Sequence, residues 1–93
     1  MITEYANFCL LCGTPRTDIH HLVFGVAKRK LADQDGLTMP LCKRHHDMIH
    51  QGDMQTLSKI IGQLLYERNK CAEGMTVEES RESFRRRYGE SYL

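Results

Sequence analysis

Ninety-three residues with a formal net charge of +1, 41% hydrophobic and 27% charged, make one domain with a modest core. There is no overall acidic or basic excess, so a nucleic-acid partner must be argued from local patches. No stretch approaches the roughly 20 apolar residues a membrane helix needs. Met1-Ile2-Thr3-Glu4-Tyr5 lacks the basic lead and apolar run of a signal peptide, so the chain is expected in the cytoplasm, without a membrane partner. In that reducing setting its four cysteines read as metal ligands rather than disulfides.

The chain divides into a Cys/His-rich core over residues 1–52 and a helical extension over 53–93 within one domain. Cys9-Leu10-Leu11-Cys12-Gly13 has the form of a zinc knuckle, with glycine after the second thiol allowing a tight turn. Residues 18–24 have strand-like composition. Residues 32–40, which contain Asp33, Asp35 and Gly36, read as a loop running into a short extended piece. Residues 42–50 are expected to be helical, ended by Gly52. A longer helix is expected over 53–72, with Asp53 as its N-cap and Gly74 as its stop. Its apolar stripe would be Leu57, Ile60, Ile61, Leu64 and Leu65, facing the core or a dimer partner. Gly62 within it suits a close crossing. Thr76-Val77-Glu78-Glu79 is a capping box opening a last helix over 77–88, with Gly89 at its end and a weakly apolar face of Val77, Phe84 and Tyr88.

The chemistry concentrates in Cys42-Lys43-Arg44-His45-His46-Asp47-Met48-Ile49-His50. On a helix His46 and His50 share a face, so both can bind one ion, whereas His45 points about 100° away. Cys42-x-x-His45 therefore pairs with Cys9-x-x-Cys12 as a four-ligand zinc site; Cys71 is the rival for the fourth position. The remaining histidines make an all-nitrogen set, to which His20-His21 would supply a third ligand and a base. Neighbouring strand residues face opposite sides, so the strand must bend or end at that doublet if both are to reach one phosphate. Thiolate zinc sites are mostly structural and open all-histidine sites mostly catalytic, which suggests a metal-dependent hydrolase built around a zinc knot.

Cys-x2-Cys, then Asp-x-His-His-Leu, then Pro-Leu-Cys-x2-His-His-x3-His resembles the HNH (ββα-metal) endonuclease superfamily, most closely its small phage-encoded members with a zinc knuckle. The resemblance spans about residues 9–50. It implies an α+β fold: a zinc-knotted ββα-metal motif, here followed by two C-terminal helices. It implies a divalent-metal-dependent DNA endonuclease or nickase in a bacterial host cell. His20, His46 and His50 would hold the catalytic ion, His21 would be the general base, and Cys9, Cys12, Cys42 and His45 would hold a structural zinc. Mg2+, Mn2+, Ni2+ and Zn2+ all qualify as the catalytic ion, with imidazole favouring the transition metals. The asparagine that family places near residues 35–37 is missing; the only asparagines are Asn7 and Asn69, so Asp33 or Asp35 would have to brace the base.

Lys28, Arg29, Lys30 and Arg44 are candidate contacts to DNA phosphates, with Arg85-Arg86-Arg87 as a second patch. The alternative is a catalytically degenerate zinc-binding module that recruits DNA or protein. A homodimer, or a phage or host protein docking on the C-terminal helices, also fits.

Overall fold

The computed structural model describes residues 1–93 as a small α+β unit with a radius of gyration of 13.2 Å. Its elements run β1 (Asp18–His21), α1 (Lys28–Gln34), β2 (Thr38–Leu41), α2 (Lys43–Ile49), α3 (Asp53–Ala72) and α4 (Val77–Tyr88). β1 and β2 pair antiparallel with His20 opposite Met39 and Asp18 opposite Leu41. A two-stranded sheet is marginal alone. Here the knuckle segment covers its open edge: Ile2 N–H donates to the Thr38 carbonyl at 2.8 Å and Leu10 N–H to that of Pro40 at 3.0 Å. All four β2 residues are buried as a result. Pro40, which has no N–H to give, is tolerated because only its carbonyl is needed there.

The strand expected over 18–24 stops at His21; Leu22 and Val23 follow as irregular chain, fully buried. The loop expected over 32–40 is corrected more substantially, because its first part belongs to α1. The turn residues Asp35 and Gly36 mark the end of that helix. Gly36 N–H bonds to the Asp33 carbonyl and Leu37 N–H to that of Ala32, with Gly36 at φ 71°. This is a Schellman closure, which requires a residue such as glycine in the left-handed region.

α3 forms over the expected span but buries a different face. Gly52, at φ 52°, holds the N-cap position and Asp53 lies within the first turn. The buried residues are Ser58, Gly62, Gln63, Tyr66 and Glu67, while Leu57 and Leu64 of the expected apolar stripe are about half exposed. The line 58-62-66 lies one residue, about 100° of helix rotation, from 57-61-65. Gly62 sets this rotation: a Cβ there would stand 2.7 Å from Val23 Cγ2 and 3.0 Å from Leu22 Cβ. The helix backbone thus lies directly on the segment that follows β1.

α4 opens with the expected capping box, Thr76 and Glu79 each bonding the other's backbone N–H. Phe84 and Tyr88 enter the core, but Val77 remains outside. Phe84 stacks on Tyr88 at 4.4 Å between centroids and meets Tyr66 edge-on at 5.4 Å. Arg81 grips the buried Glu67 carboxylate with two bonds of 3.2 Å. Arg87 and the Tyr88 hydroxyl both bind Asp35, at 2.6 and 2.7 Å, fastening α4 to the end of α1. Burial and the adjacent Asp35 carboxylate push the Tyr88 phenol well above its usual range. No helix is long and apolar enough to cross a membrane.

Candidate metal centres

The N-cap of α2 is Cys42, and the helix it opens turns successive side chains toward different neighbours. His45 lies with Cys9, Cys12 and Cys42; His46 and His50 lie with His20. Within each group one donor atom per residue falls within 4.8 Å of all the others. His45 Nδ1 is 3.2 Å from Cys42 Sγ and 3.6 Å from Cys9 Sγ, and the Cys12 and Cys42 sulfurs are 3.9 Å apart. Cys71 is elsewhere, against Ser80.

The first cluster is a Cys3His set that could hold a metal such as zinc. Its chemistry suits a thiophilic cation. Burial by itself raises the Cys9 thiol, but hydrogen bonds from the backbone of Cys42, Leu11 and Cys12 outweigh it and hold the group at about 6. Cys9 is therefore mostly thiolate at neutral pH, the form that ligates metal. The chain path is fixed locally by Cys9 N–H to the Thr14 carbonyl at 2.7 Å and by Gly13 at φ 75°.

The second cluster is assembled from two elements: His20 from β1, and His46 and the C-cap His50 from α2. Ring centroids are 5.2 Å apart for His20 and His46, 5.0 Å for His20 and His50, and 4.9 Å for His46 and His50. Two of the three rings, His46 and His20, are oriented from behind. His46 Nδ1–H donates to Asp18 Oδ2 at 2.8 Å, which leaves Nε2 with its lone pair. That hydrogen bond from His46 holds the Asp18 carboxyl below its usual range. His20 Nε2–H donates at 2.7 Å to Ser58 Oγ, whose own hydrogen goes to the Leu22 carbonyl at 2.9 Å. The nitrogen of His20 left for an ion is Nδ1, which is buried without any partner.

Only three buried side-chain nitrogen or oxygen atoms lack a partner, and two are Nδ1 of His20 and His21, so unmet polar demand concentrates at the doublet. Burial first, then the neighbouring charges of His50, His46, His21 and Arg29, push His20 down to about 3, so it is a neutral ligand at any working pH. His50 is lowered by the same kind of burial and by His46 and Arg29. The Nε2 atoms of His46 and His50 stand 3.2 Å apart. At that distance His50 Nε2–H can donate to the bare Nε2 of His46, and the other His50 tautomer would turn both lone pairs toward one ion. The donor set, the oriented rings and the orphaned nitrogen all fit a divalent ion.

His21 lies outside this cluster. Its Nε2 meets Asp33 Oδ1 of α1 at 3.1 Å. Of the two aspartates expected near the base, Asp33 makes that contact, whereas Asp35 is occupied by α4. The basic candidates divide as well. Lys28 turns inward to Glu90 at 2.7 Å and the Tyr92 hydroxyl at 3.2 Å. Arg29, Lys30 and Arg44 are exposed, and Arg29 carries its charge toward His20 and His50. Arg85 and Arg86 share Glu82, and Arg87 pairs with Asp35, so two carboxylates offset most of that second patch and leave one net positive charge. Sequence reasoning missed Ser58, Asp18 and Phe24. A serine in an apolar helix carries no distinctive spacing, and Asp18, although part of the Asp-x-His-His-Leu motif, was given no role of its own. Phe24 packs its ring 4.9 Å from His50 and 5.8 Å from His20.

The fold and its two separated ligand sets define a small α+β protein with two Cys/His clusters suited to metal. The family described as "Protein of unknown function (DUF968)" matches residues 4–77, which includes every ligand of both clusters, and the chain belongs to that family. No curated protein and no solved structure matches it.

Proposed function

We propose that the protein is a divalent-metal-dependent DNA endonuclease or nickase of the HNH type. In this reading Cys9, Cys12, Cys42 and His45 hold a structural zinc that ties the knuckle to α2. His20, His46 and His50 hold a second ion, Mg2+, Mn2+, Ni2+ or Zn2+. When bound, that ion supplies Lewis-acid stabilisation of the phosphodiester and its leaving oxygen. His21 takes the proton of the attacking water. Asp33 accepts the Nε2 hydrogen of His21 and so leaves the lone pair on Nδ1, the state a proton acceptor needs; it stands in for the missing asparagine. The bacterial cytoplasm and a phage origin go with the same resemblance.

The observation that carries this reading is the buried, unpartnered Nδ1 of His20, locked in its tautomer by Ser58 and grouped with two further imidazoles. A polar atom buried unsatisfied costs about 1–3 kcal/mol, and an ion removes that cost. The test is nicking of supercoiled plasmid with each of the four ions, in parallel with His21→Ala. Metal-dependent nicking that His21→Ala loses while keeping its fold supports the proposal. Undiminished nicking by His21→Ala overturns the role of His21, and no nicking with any ion overturns the activity. The missing asparagine favours a second reading, a zinc-held module that binds DNA or protein without catalysis. It expects DNA retained in a gel shift and never cut.

A further inference from the structure

The residue after Ser58 on α3 is Lys59. Its ammonium stands 4.7 Å from the centroid of Phe24, whose ring is itself 4.9 Å from that of His50. A DNA strand carries one charge per about 3.4 Å of axis, so two steps of that size place the ammonium within one to three phosphates of the histidine cluster. Its position is restrained on two sides, by Phe24 and by Tyr92 at 5.7 Å. Lys59 is also unspent. Neither Lys59 nor Arg29 takes part in any ion pair, whereas Lys28 beside them is neutralised by Glu90. Lys59 is half-buried against two aromatic rings with no carboxylate within ion-pair distance; the carboxylate that feels its charge, Glu90, is bonded to Lys28, so the Lys59 ammonium can still meet an anion.

Resting on the nuclease reading, we propose that Lys59, seated on Phe24, clamps a DNA phosphate flanking the one presented to His20, His46 and His50. α3 thereby becomes part of the substrate site, although it lies outside the segment that carries the HNH resemblance. Lys59 acts as a point charge, which contributes affinity and register without reading sequence.

The experiment measures binding of a fluorescein-labelled duplex by anisotropy at several salt concentrations, with Ni2+ present and with His21→Ala as the parent so that the DNA stays intact. Lys59→Met keeps the aliphatic contact with Phe24 and removes the charge. It is expected to weaken binding roughly five- to tenfold near 0.1 M salt and to flatten the log K against log salt slope by about 0.9, the release of one counterion. Lys59→Arg restores both, and Arg68→Met, an exposed cation elsewhere on α3, changes neither. Wild-type affinity and slope in Lys59→Met overturn the clamp while leaving the nuclease standing, provided the unmutated protein nicks plasmid. If the unmutated protein neither nicks nor binds DNA, the nuclease reading fails and the clamp goes with it.

Discussion

Replacing Ser58 by alanine separates the two jobs of one buried hydroxyl. Ser58 Oγ donates to the Leu22 carbonyl at 2.9 Å and accepts from His20 Nε2 at 2.7 Å, with no solvent exposure. Alanine leaves a buried acceptor and a buried donor unpaired, which costs about 2 kcal/mol or more. For a domain of this size that lowers Tm by about 8–16 °C. The second effect falls on the metal. Freed from Ser58, the His20 ring can turn and place its hydrogen on Nδ1, the nitrogen otherwise left for the ion. Loss of such an orienting partner weakens metal affinity about 10–100-fold. Calorimetric titration of Ni2+ into zinc-loaded Ser58→Ala, at a temperature where it is folded, reads this directly. Arg81→Met is the control. It unpairs the buried Glu67 far from the histidines, so it lowers Tm and leaves Ni2+ affinity unchanged. Wild-type Ni2+ affinity in folded Ser58→Ala would refute the claim that α3 orients His20.

The neighbouring histidines of α2 give a second expectation: His45→Ala and His46→Ala each lower the metal content by one ion per chain, measured by elemental analysis. Only His45→Ala also costs substantial thermal stability, since its ion closes the loop between the knuckle and α2. Loss of both ions in either variant would mean that the two clusters are one. A third expectation concerns Lys28 and Glu90. Their hydrogen-bonded pairing raises the lysine and lowers the carboxyl from their usual ranges. The depressed Glu90 stabilises above its unfolded pKa and loses that contribution as pH falls through its folded value. The raised Lys28 contributes below its unfolded pKa and loses it as pH rises through its folded value. The Tm gap between wild type and Glu90→Gln should therefore be widest around neutrality and close toward both extremes; a gap constant from pH 3 to pH 8 contradicts the pairing.

The donor spacings were legible because they are local. A helix forces residues 46 and 50 together and 45 away, whatever the rest of the chain does. The spans of α3 and α4 were legible for the same reason, through Gly74, the Thr76 capping box and Gly89. α1 was hidden because its closing residues, Asp35 and Gly36, are also turn residues, and its first turn is three basic side chains with no cap to announce it. The buried face of α3 was hidden by its polarity. Hydrophobic periodicity selects Leu57 and Leu64, but Ser58, Gln63 and Glu67 are buried because each finds a hydrogen-bond partner on another element or within the helix. The same blindness concealed Ser58 from the metal site. Why His21, rather than His20, is held by α1 became visible only once β1 ended at the doublet.

The family model matches residues 4–77, and Phe84, Arg87 and Tyr88 fall beyond that match. Those three roof Tyr66 and latch Asp35, two residues along from the aspartate that touches His21. The helix bearing Arg29 and Asp33 is thus steadied by a brace that lies outside the matched residues. Without that brace Tyr66 would lose the aromatic cover that Phe84 and Tyr88 give it. The stiffness of the helix that sets Asp33 against His21 can then be tuned through α4 without disturbing either Cys/His cluster.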